Sequence, residues 1–203
     1  ALITPWNFPI AIPAWKMAPA LLCGNAVVIK PASAAPALTL ELARVLDEAG
    51  LPKGVLNVVV GEGRPFGAEI SSNPAVQAVS FTGSHTVGSS LYQAAAPRMI
   101  RTQLEMGSKN PTIVLGDADL DLAVRLVAIA GFGLTGQACT ATSRVIVERS
   151  VLGAFTEKLV AAAQAWKVGP GLAPGVQMGP AVNEAELKGN LDYIDIARAE
   201  GAS

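Results

Sequence analysis

Short runs of aliphatic and β-branched residues alternate along this chain with longer segments in which apolar residues recur every three or four positions. The short runs predict β-strands, and the longer segments predict amphipathic helices. Strands are predicted at residues 1–3, 26–30, 56–60, 78–81, 99–104, 112–115 and 144–148. The alternation of strand and helix is typical of βαβ units and predicts a parallel sheet in an α/β fold.

Three apolar stripes define the clearest predicted helices, and we interpret all three as core-facing. The first has Pro36 near its start and Gly50 just past its end, as a well-delimited helix should. The stripes consist of Leu38, Leu42, Val45, Leu46 and Ala49; of Leu120, Val124, Val127 and Ala128; and of Leu152, Phe155, Leu159, Ala163 and Trp166. Cys23 lies beside Leu21 and Leu22 in another apolar segment, so we expect a buried, unreactive cysteine inside a helix.

Composition indicates that much of the molecular surface is covered. Hydrophobic residues make up 51% of the chain and charged residues 15%, against about 25% charged residues in ordinary soluble domains. We therefore expect a sheet covered on both faces, and partner subunits as well.

The charge pattern argues against several classes of function. The formal net charge is −1 and the 15 Lys and Arg residues are scattered, which disfavours binding to nucleic acid or to an anionic membrane. The sequence has no apolar run of membrane-spanning length and no signal-peptide pattern at its start, so we expect a cytoplasmic protein. One histidine and two distant cysteines disfavour a metal site, a disulfide framework and serine–histidine catalysis.

Two segments have the chemistry to bind a nucleotide. Residues 81–88 (FTGSHTVG) join a predicted strand to a predicted helix, and the free N–H groups of that helix would attract phosphate. An ordinary glycine turn is the alternative, because the G-x-G-x-x-G fingerprint is absent. Lys30 and Ser33 follow strand 26–30 at the edge where open α/β sheets bind ligands, and a solvated surface lysine is the alternative there.

Two residues are candidates for covalent and acid–base chemistry. Cys139 lies in a loop of small residues (GQACT, 136–140) between a predicted helix and a predicted strand. A thiolate can reach an aldehyde from such a loop, and the cysteine N–H can face the resulting oxyanion. Glu105 follows strand 99–104, and we expect a partly buried carboxylate that acts as a general base. A carboxylate that caps a helix or pairs with a cation is the alternative.

Five short motifs follow one another along the chain, and together they indicate a protein family. They are residues 3–9 (ITPWNFP), 30–31 (KP), 81–84 (FTGS), 104–111 (LEMGSKNP) and 136–139 (GQAC). Along its whole length the chain thereby resembles the aldehyde dehydrogenase superfamily. The resemblance implies a doubly wound, Rossmann-like NAD(P)-binding domain over residues 1–107 and the first part of an α/β catalytic domain over 108–203. It also implies a piece truncated at both ends, from a homodimeric or homotetrameric enzyme.

The resemblance assigns roles to individual residues. It makes Cys139 the nucleophile, makes Asn7 an oxyanion donor together with the Cys139 N–H, and makes Glu105 the base that activates water to hydrolyse a thioester. It implies contacts with NAD or NADP at Trp6, Lys30, Ser33, Gly83, Ser84 and Val87, and with the small aldehyde substrate at Phe8. Ser33 stands where NAD-preferring members often have glutamate, so we expect NADP to be accepted at least as well as NAD, unless Ser33 merely begins a loop.

The sequence departs from the family pattern at two positions, and two alternative functions remain open. Ser108 replaces a usual glycine and would cost about 1–3 kcal/mol if the backbone there needed a positive φ; His85 replaces a smaller residue, and we expect it to face solvent. A CoA-acylating dehydrogenase and a non-catalytic nucleotide-binding relic are the alternatives, and the presence of Glu105 favours hydrolysis. Among substrates, the sequence looks most like enzymes of 2-oxoglutarate semialdehyde, followed by those of succinate semialdehyde.

Overall fold

The chain divides into two compact units, one covering Ala1–Gly107 and the other beginning at Ser108. The computed structural model describes residues 1–202. Each unit contains a parallel sheet with helices packed against it, because parallel strands need a crossover connection between them. Within the described residues, no helix is both long and apolar enough to span a membrane.

The first unit is a doubly wound parallel sheet. In chain order its elements are β1 (Leu2–Ile3), α1 (Ala11–Leu22), β2 (Val27–Lys30), α2 (Ala37–Glu48), β3 (Leu56–Val58), α3 (Gly63–Ser72), β4 (Ala78–Gly83), α4 (His85–Ala95) and β5 (Arg101–Met106). The strand order is β3-β2-β1-β4-β5. The direction of strand addition therefore reverses between β1 and β4, and such a switch point is where open α/β sheets bind ligands.

Successive residues of β1 point to opposite faces of this sheet, as the strand period requires. Leu2 packs with Met17 of α1 and with Ile29, whereas Ile3 packs against a second cluster that contains Phe81 and Leu91 of α4. Both faces of the sheet are thus covered by helices, which confirms the prediction of a doubly wound α/β fold.

The second unit is built on a pair of parallel strands. Its elements are β6 (Asn110–Val114), α5 (Leu120–Phe132), a 3₁₀ segment (Gly133–Gly136), β7 (Thr142–Val147), α6 (Leu152–Gln164) and α7 (Glu184–Ala199). Val114 of β6, Val124 and Val127 of α5 and Phe155 of α6 form its buried core. The β6–β7 register shifts between Asn110 and Pro111.

The predicted strands are all present, with ends that differ by a few residues. One such difference is at Met99, where a strand was predicted to begin. Met99 has φ 54° and is 92% exposed, so it ends a short 3₁₀ helix (Ala96–Arg98) instead. Helix α3 was not predicted, because its glycines and proline (GRPFG) have low helix propensity.

Two apolar stripes and one cysteine are less buried than predicted. In the third stripe, Leu152 is 48% exposed. In α2 Leu42 contacts the core, but Leu38 and Val45 are exposed by 43% and 47%, so this stripe is only partly a core face. Cys23 is exposed and lies just past the end of α1. Gly24, with φ 77°, takes the left-handed conformation that commonly terminates a helix, and this turn directs Cys23 outward.

Candidate active site

The candidate cofactor residues of the first unit lie beyond one edge of its sheet. Residues 5–9 follow β1, Pro31 follows β2 and Ser84 follows β4. Because these strands are parallel, their carboxyl ends meet at the same edge. Glu105 is the penultimate residue of β5, so it lies near that edge as well.

The loop that carries Trp6, Asn7 and Phe8 is held from two sides. Thr39 of α2, which is fully buried, donates its hydroxyl hydrogen to the Pro9 carbonyl at 3.3 Å. The Phe8 carbonyl accepts the N–H of Ile12 at 3.2 Å, where α1 begins. Trp6, Asn7 and Phe8 are all partly buried, so the loop has a defined path at the end of β1.

Lys30 is a buried cation at the end of β2. Its side chain is only 5% exposed, and Nζ donates to the Pro31 carbonyl at 3.2 Å. Burial lowers the pKa of this ammonium group, and no carboxylate pairs with it among residues 1–202. The alternative of a solvated surface lysine is therefore wrong. Ser33 is exposed and donates its hydroxyl hydrogen to the Gly61 carbonyl at 3.0 Å.

The turn after β4 is a capped helix start. Ser84 is the N-cap of α4, and its Oγ accepts the Val87 N–H at 3.4 Å. A side chain at Gly83 would bring Cβ within 2.5 Å of Phe81 Cζ, so only glycine fits without a rearrangement. The remaining first-turn N–H groups and the helix dipole make this end of α4 attractive to an anion. His85 is exposed, as predicted.

Glu105 is placed differently from the prediction. It lies inside β5 rather than after it, and its side chain is exposed rather than partly buried. The alternation of β5 explains the error, because Leu104 and Met106 face the apolar cluster and Glu105 faces the other side of the sheet.

Glu105 belongs to a polar network that was not predicted from the sequence. Gln103 donates from Nε2 to Glu105 Oε1 at 2.9 Å. The Gln103 Oε1 accepts from Lys16 Nζ of α1 at 3.1 Å and from the Ser80 hydroxyl. Partial burial lowers the pKa of Lys16, and the charge of Glu105 opposes that shift. The available signal was spacing, since Gln103 and Glu105 are two residues apart on one strand and so share a face.

In the second unit, Cys139 lies in a tight turn between α5 and β7. The turn is closed by a hydrogen bond from the Ala141 N–H to the Ala138 carbonyl at 3.0 Å. Asn110 of β6 donates from Nδ2 to the Cys139 carbonyl at 2.7 Å and to the Ala141 carbonyl at 3.2 Å. Cys139 itself is exposed, which matches the loop position expected from the sequence.

The residues before this turn adopt an unusual backbone. Leu134, Thr135 and Gly136 all have positive φ, at 52°, 60° and 67°, and the left-handed conformation costs a non-glycine residue about 1–2 kcal/mol. The Thr135 hydroxyl donates to the Gly179 carbonyl at 2.9 Å, and Gln137 Oε1 accepts the Val182 N–H at 2.9 Å. These bonds to residues 179–182 hold the left-handed run in place.

Ser108 does not carry the strain that was considered for it. Among the described residues, the non-glycine positions with positive φ are Met99, Leu134 and Thr135. Ser108 is exposed and has an ordinary φ. Replacement of a usual glycine here therefore brings no left-handed penalty.

Fold and local chemistry together define a class of protein, an α/β protein with a Rossmann-like unit followed by a second unit that presents an exposed thiol in a tight turn. Residues 1–203 match the aldehyde dehydrogenase family, and the chain belongs to that family. It is 55% identical over its full length to an alpha-ketoglutarate semialdehyde dehydrogenase of Haloferax volcanii. It is 50% identical to a 2,5-dioxopentanoate dehydrogenase of Saccharolobus solfataricus. The chain spans 42% of the length of each of these relatives.

Solved structures of aldehyde dehydrogenases also match this chain closely. A succinate-semialdehyde dehydrogenase from Burkholderia pseudomallei superposes with a TM-score of 0.96 at 44% identity, over 98% of this chain and 42% of that one. An NADP-dependent enzyme of E. coli (40% identity, 98% and 42% of the two chains) and a betaine aldehyde dehydrogenase of Staphylococcus aureus in complex with NAD+ (36% identity, 98% and 40%) also reach 0.96. The last two of these structural neighbours thus use or bind a nicotinamide cofactor.

Proposed function

We propose that the protein carrying this chain oxidises an aldehyde to a carboxylic acid with NAD+ or NADP+, through a thioester on Cys139. The observation that carries the proposal is the exposed Cys139 at the corner of a hydrogen-bonded turn in a member of the aldehyde dehydrogenase family. In this proposal, residues 1–107 bind the cofactor and residues 108–203 begin the catalytic domain.

The first step uses the thiol and two donors. The Cys139 thiolate attacks the carbonyl carbon of the aldehyde, forming a C–S bond and moving the C=O π electrons to oxygen. The Cys139 N–H and the Asn7 side-chain amide stabilise this oxyanion, and one such donor contributes about 3–4 kcal/mol. Phe8 lines the approach of the substrate.

Features of the first unit fit a dinucleotide. Lys30 offers a buried positive charge with no carboxylate partner among the described residues, and the capped start of α4 offers N–H groups to a pyrophosphate. The residues proposed to hold the cofactor are Trp6, Lys30, Ser33, Gly83, Ser84 and Val87. When bound, the nicotinamide supplies the two-electron oxidant of the reaction.

Glu105 completes the reaction by releasing the acid. Its carboxylate takes a proton from water, the hydroxyl oxygen attacks the thioester carbonyl, and the C–S bond breaks to regenerate the Cys139 thiolate. The exposed position of Glu105 leaves it accessible to water, and the hydrogen bond from Gln103 orients one of its oxygens.

For the substrate we propose 2-oxoglutarate semialdehyde. Relatives at 55%, 50% and 48% identity carry that activity in their names. The same relatives support a small aldehyde as the class of substrate.

The test is a single-turnover assay on the complete natural protein that carries this chain, with the acyl adduct detected by mass spectrometry. Wild type should form an adduct on the peptide that contains Cys139, and Cys139→Ala should form none. Cys23→Ala is the matched control, because Cys23 is the other exposed cysteine of the chain, and it should leave the adduct unchanged. An adduct that persists in Cys139→Ala would exclude Cys139 as the nucleophile.

A second arm of the assay addresses Glu105. Glu105→Gln should give a normal burst of reduced cofactor followed by slow turnover, because water is activated after the oxidation step. Loss of the burst together with turnover would contradict a role limited to hydrolysis. If the wild type turns over slowly in water alone and rapidly when CoA is added, the CoA-acylating alternative is correct.

A further inference from the structure

We propose that Asn110 is a positioning residue for the nucleophile, which fixes the Cys139 turn so that the Cys139 N–H points outward and can hold an oxyanion. This inference rests on the proposed function of Cys139. It is carried by two hydrogen bonds from one amide group to carbonyls on either side of Thr140.

The orientation of the Asn110 amide follows from its surroundings. Both oxygens within reach, those of Cys139 at 2.7 Å and Ala141 at 3.2 Å, are carbonyl oxygens. Carbonyl oxygens only accept hydrogen bonds, so the NH₂ of the amide must face them. The amide is therefore a donor fork that joins β6 to the turn before β7.

The strand pairing brings Asn110 to this place. Asn110 is the first residue of β6 and pairs with Thr142, but Pro111 pairs with Arg144, so β7 contains one extra residue at this point. Proline has no N–H to offer to a regular ladder, and such irregularities commonly redirect a side chain beside an active site. Here the shift lies at the residue whose side chain reaches the cysteine turn.

The two peptide groups that flank Cys139 are fixed by different partners. The Ala138 carbonyl accepts from Ala141, and because a peptide group is planar and trans, the Cys139 N–H points the opposite way. That N–H has no acceptor among the described residues. The following peptide group is fixed by Asn110 through the Cys139 carbonyl. With both groups fixed, the N–H and the Cα–Cβ bond that carries the thiol keep a constant mutual orientation.

Two reactions of the same thiol separate positioning from folding. Iodoacetamide is attacked at carbon by the Cys139 thiolate, iodide leaves, and no oxyanion forms. With p-nitrophenyl acetate the thiolate attacks the ester carbonyl, an oxyanion forms, and its collapse expels p-nitrophenolate and leaves an acetyl thioester; in both cases the thiol proton goes to water. Only the second reaction needs the N–H, and neither needs a cofactor.

The experiment measures both rates on the complete natural protein, by mass spectrometry of the Cys139 peptide. Asn110→Ala should slow ester acylation about 10- to 100-fold and change alkylation less than twofold. Asn110→Ser, which keeps one donor, should fall between wild type and Asn110→Ala. Thr112→Val is the matched control, because it removes the Thr112–Thr142 hydroxyl contact between the same two strands, and it should leave both rates unchanged.

Each result that differs from these expectations would overturn a particular part of the proposal. An unchanged acylation rate in Asn110→Ala would show that the turn does not need Asn110. Equal losses in acylation and alkylation would show that Asn110 only keeps the turn folded, which overturns the positioning role. If Cys139→Ala retains rapid acylation at the active site, the proposed nucleophile itself is wrong, and that result is distinct from failure of Asn110.

Discussion

Lys30 and Ser33 are the proposed cofactor residues that bear on the choice between NAD and NADP. Lys30 is a buried cation without a carboxylate partner in the described part of the chain, so a phosphate group would give it a charge-assisted hydrogen bond. Ser33 carries no charge that would repel a 2′-phosphate. Its hydroxyl hydrogen is directed to the Gly61 carbonyl, so in this proposal the attraction to phosphate would come mainly from Lys30.

We therefore expect the complete protein to bind NADP at least as tightly as NAD. Ser33→Glu should restore preference for NAD, because a carboxylate accepts hydrogen bonds from ribose hydroxyls and repels a 2′-phosphate. Ser33→Ala is the matched control, since it removes the bond to Gly61 without adding charge, and it should keep the wild-type preference. Titration of each variant with both cofactors provides the measurement. Wild-type binding of NAD at least tenfold tighter than NADP, about 1.4 kcal/mol, would contradict the argument from Ser33.

The sequence predicted the strand, helix or loop to which individual residues belong better than it predicted how deeply their side chains are buried. The loop position of Cys139 and the strand end at Lys30 follow from local pattern alone. Cys23 and Glu105 were predicted to be more buried than they are, because burial depends on which elements pack against a segment. Asn110 carries no local signal for the role proposed for it, since its two acceptors are 29 and 31 residues away in the sequence.

At the scale of elements, the left-handed run before Cys139 is the least expected feature. A threonine with positive φ is uncommon because its branched side chain is crowded there, and the Thr135–Gly179 hydrogen bond offsets part of that cost. Apart from α3, the helices and strands were predicted because their periodicity is strong. This run was not, because nothing in the letters LTG indicates three consecutive positive φ angles.

The left-handed backbone at Thr135 predicts that glycine is a more stable replacement than valine, although glycine usually destabilises a folded protein. Thr135→Val should lower the free energy of unfolding by about 1 kcal/mol, because it keeps the strain and removes a hydrogen bond. Thr135→Gly should be roughly 0.5–1 kcal/mol more stable than Thr135→Val, because relief of left-handed strain exceeds the entropic cost of glycine. Urea unfolding measures both differences. Valine at or above glycine in stability would show that the run is not strained.

At the scale of the whole molecule, a large amount of apolar side chain remains in contact with solvent. In α5, Leu122, Leu126 and Ile129 lie on one face and are exposed by 40%, 55% and 57%. On the β6–β7 sheet, the paired residues Ile113 and Ile146 are exposed by 64% and 53%. Exposed apolar surface of this extent is typical of faces that other protein segments cover, and we propose that a homodimer or homotetramer of the complete protein covers part of it.

We expect the 203-residue polypeptide, expressed alone, to be inactive and to aggregate. The physical reason is that the apolar faces of α5 and of the β6–β7 sheet find no partner and so associate with each other. Light scattering and a turnover assay on the purified chain provide the measurement, with the complete protein as the control. A monomeric preparation with robust turnover would contradict this expectation.

The hydrogen bonds that hold the left-handed run, here called the clamp, also determine when the Cys139 turn can reach its native conformation during synthesis. Its long-range hydrogen bonds join residues 43 to 45 positions apart, Thr135 to Gly179 and Gln137 to both Pro180 and Val182. During synthesis the chain emerges from its amino end, so Cys139 leaves the ribosome well before its clamp exists. We therefore expect the nascent cysteine turn to lack these bonds, and the cysteine can acquire its native setting only after residue 182 has been added.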